Sequence, residues 1–147
     1  MQNRFSAKFG FIILITGLMI LGCSTPNLRF DQLTRNDLDK IAGKDWHFFY
    51  SKEFGKGESP TYYYYHRASL SYPSEKIVRV WRKQIFMGAG GTILSLSYLF
   101  DIDCSDRRYH IIDTDLVPDI RAPDDKIAWH SIESSSVDES LYNILCR

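Results

Sequence analysis

Ile93-Leu94-Ser95-Leu96-Ser97-Tyr98-Leu99-Phe100-Asp101-Ile102-Asp103 is the stretch that decides how this chain folds. Leu94, Leu96, Tyr98, Phe100 and Ile102 alternate with Ile93, Ser95, Ser97, Leu99 and Asp101. Successive side chains of a strand point to opposite faces, so this spacing lays one face of an antiparallel strand on a core. Upstream, Lys76–Phe86 alternates too: Ile77, Arg79, Trp81, Lys83 and Ile85 share one face, and Val78, Val80, Arg82, Gln84 and Phe86 the other. Between the two strands, Gly88-Ala89-Gly90-Gly91 tolerates the positive backbone angles that a tight reversal requires.

Working outward, Trp46–Tyr50 and Thr61–Tyr65 are aromatic and strand-prone, and Gly55, Gly57, Ser59 and Pro60 make a loop between them. Arg107–Asp113 and Lys126–Ile132 read as two further strands. The period then changes. Ser136-Val137-Asp138-Glu139 fits a capping box, after which Val137, Leu141, Ile144 and Leu145 recur at helical spacing. A helix of about ten residues is marginal alone in water, so it must dock, and the apolar sheet face is the large candidate. Asn36 or Asp37 is expected to cap one short helical turn carrying Leu38 and Ile41, ended by Gly43, within an otherwise tether-like region.

The N-terminus places the chain in a class. Arg4 and Lys8 precede Phe9–Leu21, a mostly apolar run that falls short of the ~20 residues needed to span a bilayer. A basic start and a short apolar run are features of a secretory signal. Ile20-Leu21-Gly22-Cys23 looks like a bacterial lipobox, and the polar Ser24-Thr25-Pro26-Asn27 follows at once. The expected organisation is therefore a signal peptide over residues 1–22, a lipidated tether over 23–44, and a domain over 45–147. Cys23 is the lipidation site, and acyl chains provide the attachment to the membrane. Ser24 after that cysteine, rather than aspartate, points to outer-membrane sorting by the rule known from enteric bacteria.

Cleavage leaves 125 of the 147 residues, enough for one core. It also removes Arg4 and Lys8 from 18 basic residues, leaving 16 against 18 acidic ones. That balance does not gather phosphates, so nucleic acid is excluded as a partner. With Cys23 acylated, Cys104 and Cys146 remain, and in an oxidising compartment a pair of cysteines defaults to a disulfide. A metal site or reactive thiol is the alternative reading of the same pair.

Val78-Arg79-Val80-Trp81, Asp103-Cys104-Ser105-Asp106-Arg107-Arg108-Tyr109, Trp129, and then Ser135, Glu139, Leu141-Tyr142 and Cys146 occur in that order. This set resembles the surface-adhesin protein E family of bacterial lipoproteins, over roughly residues 45–147. The resemblance implies an α+β fold: one antiparallel sheet of about six strands, with a C-terminal helix packed on one face and tied to it by a Cys104–Cys146 disulfide. It also implies a homodimer and binding of host matrix and plasma proteins such as vitronectin, laminin and plasminogen, with haem as a further family ligand. Two places depart from the pattern. Glu133-Ser134-Ser135 stands where a Pro-Gly-Ser turn is common, and Tyr62–Tyr65 ends in His66-Arg67 where an acidic residue is expected.

Candidate sites weigh toward binding rather than chemistry. Asp101, Asp103 and Ser105 open with the rhythm of a calcium loop, but Asp106 and Ile112 stand where glycine and glutamate are required. His47, His66, His110 and His130 lack zinc-ligand spacing, although His110 and His130 would meet if their strands were neighbours. A disulfide removes Cys104 as a nucleophile, and Gly88–Gly91 lacks the context of a phosphate cradle. The residues therefore call for no catalytic group, metal or cofactor. Tyr62, Tyr63, Tyr64 and Tyr65 are the candidate ligand or dimer surface, because two rings must face each way and tyrosine favours interfaces. The face opposite the C-terminal helix is expected to be uncovered and to carry part of this set, with Arg79 or Arg82 according to register. The functional expectation is a non-catalytic, outer-membrane-anchored lipoprotein that binds host or envelope proteins through that face. The alternative is a periplasm-facing structural or assembly lipoprotein with no host ligand.

Overall fold

The computed structural model describes residues 30–55, 58–115 and 128–147. The signal-like run, Cys23 and the first part of the expected tether lie outside the described residues, as do the first two residues of the expected Lys126–Ile132 strand. Seven strands form one sheet among the described residues: β1 (Trp46–Lys52), β2 (Thr61–His66), β3 (Ser71–Ser74), β4 (Ile77–Met87), β5 (Ile93–Asp103), β6 (Arg108–Thr114) and β7 (His130–Ser131). The order is β1-β2-β4-β5-β6-β7, every pairing is antiparallel, and β3 flanks β4 beyond the end of β2. Helices α1 (Arg35–Ala42) and α2 (Val137–Leu145) complete this α+β fold. Ser71–Ser74 is the strand beyond the expected six; Pro73 and exposed side chains hide it from an alternation search.

β4 and β5 pair along their whole length, Ile77 with Asp103 through to Met87 with Ile93. The register sets Val78, Val80 and Arg82 beside Ile102, Phe100 and Tyr98 on one face. On that face Val80, Phe100, Ile102, Ile132 and Leu141 form a buried cluster beneath α2. The expected core assignment holds for Tyr98 and Phe100 but fails at Leu94, which is 41% exposed. Length is the reason: nine helical residues span ~13 Å, whereas the eleven residues of β5 run ~37 Å.

The other face is not open. Phe30, Leu38 and Ala42 bury themselves with Tyr64 and Ile85, so the helix expected in the tether is part of the folded body. Its N-cap is Thr34 rather than Asn36 or Asp37. Asp37 instead closes a capping box: its amide donates to the Thr34 hydroxyl, and its carboxylate accepts from the Thr34 amide at 3.1 Å. Gly43 ends the helix at φ 98°, a left-handed angle that favours glycine. Lys83 crosses from the sheet to donate from Nζ to the Ala42 carbonyl at 2.7 Å, satisfying a C-terminal helix acceptor.

Cys104 and Cys146 form a disulfide with Cα atoms 5.3 Å apart. It joins the β5–β6 turn to the end of α2. The Tyr142 hydroxyl donates to the Cys104 carbonyl beside it, at 3.0 Å. Ser136 caps α2 as expected, accepting from the Glu139 amide at 3.0 Å. Glu139, however, accepts from the Ser135 amide and from Arg107 rather than completing the reciprocal box.

Candidate functional site

The tyrosine run is divided between the two cores. Tyr62 and Tyr64 lie toward α1, where Tyr62 meets the Phe30 ring at 6.0 Å and Tyr64 meets Phe48 edge-on at 5.8 Å. Tyr63 and Tyr65 lie toward α2, both against Phe49. A bulge in β1 allows this, since Phe48 opposes Tyr64 and Tyr50 opposes Tyr63, leaving Phe49 as the extra residue. Tyr63 and Tyr64 are buried by the chain itself, and burial pushes both hydroxyls above the ordinary tyrosine pKa. These two rings are therefore scaffold in the single chain rather than surface, because each has a helix or a neighbouring strand over it.

Arg79 and Arg82 are likewise separated, and the strand's period of two puts them on opposite faces. Arg82 points under α2, pairs with Asp138 and lies 4.1 Å from the Phe100 ring centre. Its side chain is 11% exposed and that of Asp138 20%. Arg79 lies on the α1 face beyond the reach of α1, where its Nε and Nη2 grip both oxygens of Asp101 at 2.7 and 2.8 Å. That two-point contact raises the Arg79 pKa.

Beside this pair, Asp103 accepts from the Ser105 and Asp106 amides at 3.0 and 3.1 Å and from Arg108 at 3.1 Å. Burial opposes its charge, but the Asp106 amide, Arg108 and the Ser105 amide together outweigh burial and hold its pKa below the usual carboxylate value. The carboxylates that give the calcium-like rhythm are thus occupied by arginines and turn amides. Among the described residues, no three His, Cys, Asp or Glu side chains converge as a metal site would require.

One accessible aromatic with charged neighbours is Trp129, 37% exposed. One side of its ring meets His110 edge-on at 4.3 Å, and the Arg108 guanidinium lies 5.3 Å from its centre. A cleft of about 480 Å³ adjoins it, lined by Tyr109, Trp129, His130, Glu133, Ser136 and Asp138. His110 and His130 do not meet: β6 and β7 align Tyr109 with His130, so the two histidines fall on opposite faces. The family-like order of residues includes Trp129, but no periodicity marks it as a surface anchor. No protein-family model matches this chain, nor does any curated protein or solved structure. An exposed tryptophan beside a half-buried arginine and histidine suits recognition of a surface, since Trp, Tyr and Arg dominate binding energy at interfaces.

Proposed function

We propose that this chain is an exported lipoprotein, held at the outer membrane by acyl chains on Cys23, whose disulfide-closed domain binds envelope or host proteins without catalysing a reaction. One observation carries the reading. Cys104 and Cys146 pair with each other, and the third cysteine of the sequence, Cys23, stands in a lipobox-like stretch. A structural disulfide belongs to an oxidising compartment, and a lone cysteine after a signal-like run is what lipid attachment uses. The resemblance to surface-adhesin protein E supports a binding role with host matrix or plasma proteins as partners. Trp129, with Arg108 and His110, is the anchor we assign to that binding.

The test is mass spectrometry of the wild-type chain and of Cys23→Ala. The wild type should begin at Cys23 and carry diacylglycerol, and the variant should retain residues 1–22 without lipid. A wild-type mature start elsewhere, with no acyl group, would sink the proposal. Protease shaving of intact cells then separates an outward-facing binder, which is cut, from a periplasm-facing assembly lipoprotein, which is protected.

A further inference from the structure

The end of the sheet at the β4–β5 turn exposes apolar side chains, Phe54 and Leu94, where water should favour polar ones. Phe30, the first described residue, meets the Tyr62 ring and belongs to the buried cluster against which Met87 and Ile93 pack. The β4–β5 turn, Gly88–Thr92, lies at that end, as do the end of β1 and the start of β2, since Lys52 aligns with Thr61 and Tyr62 with Ile85. Phe54 follows β1 there and is 37% exposed. Leu94, 41% exposed, aligns with the half-buried Phe86 beyond the reach of α2. Lys52 Nζ lies 5.0 Å from the centre of the Phe54 ring, and more than a third of both Phe54 and Leu94 is left accessible among the described residues. In the sequence Lys52 and Lys56 are balanced by Glu53 and Glu58, so this loop lacks a net positive charge that would draw it to anionic headgroups.

We infer that this end of the sheet, carrying Phe54, Phe86, Met87 and Leu94, rests on the lipid bilayer and holds the domain upright on the membrane. The inference rests on acylation of Cys23. Seven residue steps separate Cys23 from Phe30, so the tether reaches at most ~25 Å even when fully extended. The paired strands β4 and β5 are ~37 Å long. A tether shorter than the strands cannot bring the far end, with the Cys104–Arg107 turn and the disulfide, to the bilayer while the near end is lifted off it. Tethering also makes contact with lipid an intramolecular event, so a small apolar rim suffices where a free protein would need a larger one. The consequence is that the disulfide end, with Arg107 and α2 beside it, is presented away from the membrane.

The experiment uses the full acylated chain, its lipid verified by mass, in vesicles of phosphatidylethanolamine and phosphatidylglycerol with and without nitroxide-bearing phospholipid. An environment-sensitive fluorophore is attached to Leu94→Cys, to Phe54→Cys or to Ser105→Cys, the last in the far turn. Each variant is first shown to melt cooperatively with its disulfide intact; Phe54 lies outside any strand, so it serves if Leu94→Cys does not fold. Labels at positions 94 and 54 should shift to the blue on vesicles and lose more than half their intensity to the nitroxide lipid, while the label at 105 should not change. An acylated, vesicle-bound chain whose labels at 54 and 94 are unquenched overturns the inference alone. A blue shift already present without vesicles overturns it as well, because the rim is then covered by protein. A wild-type chain that carries no acyl group overturns the anchor reading and removes the tether on which this inference rests.

Discussion

Arg82 and Asp138 offer a stringent test of the packing between α2 and the sheet. Asp138→Asn keeps the shape of the side chain and removes its charge, leaving the guanidinium between Phe100 and Tyr63 without its counter-ion. Among the described residues the Arg82 Nε has no hydrogen-bond partner, so no second group compensates. Breaking a buried pair by removing one partner costs about 3–5 kcal/mol. With side chains 11% and 20% exposed, the low end applies, about 3 kcal/mol. For a domain of this size that corresponds to a melting temperature lower by about 12 °C. Part of the cost, ~0.3–1 kcal/mol, is the loss of a negative charge from the first turn of α2. Arg82→Met leaves that charge in place and so separates the two effects. The double variant Arg82→Met/Asp138→Leu should return to within about 1.5 kcal/mol of the wild type, because apolar side chains replace a buried pair at little cost. Urea titrations of the four proteins measure each of these costs. A single-variant cost below about 0.5 kcal/mol would mean the pair behaves like a surface ion pair, refuting the claim that α2 seals it from solvent.

Reduction of Cys104–Cys146, which spans 42 positions, should lower stability by about 4 kcal/mol in the chain-entropy model and loosen α2 first, read by hydrogen exchange at Leu141 and Tyr142. Leu38→Ala should cost about 2–4 kcal/mol in urea, whereas Ile41→Ala, one turn along on the exposed side of α1, should be near neutral. Asp103 has a folded pKa below its ordinary 3.8, so its contribution is present above that value and is lost as pH falls through the lower, folded one. Asp103→Asn should therefore lower stability at neutral pH and flatten the acid side of the stability curve, measured by urea melts across pH.

Elements whose side chains report on their own geometry are legible in the amino-acid order alone. The alternation in Ile77–Met87 and Ile93–Asp103 specifies two antiparallel strands, because a period of two has one structural meaning when one face is buried. Ser136 and the helical spacing of Leu141 specify α2, and Cys104 and Cys146, read as a default pair, form the bridge that the Cα separation permits. The functional surface is less legible. Tyr62–Tyr65 reads as an interface because alternation states that rings face both ways, but not what lies over either face. Covering the second face depends on α1, whose eight residues carry just two buried side chains, Leu38 and Ala42, too few to declare a docking helix by periodicity. Likewise Arg79 and Arg82 are alike as letters and opposite in fate. Register puts one beside Asp101 at the edge of α1's cover and the other beneath α2, because a neighbour across strands or helices is set by tertiary packing and not by position along the chain.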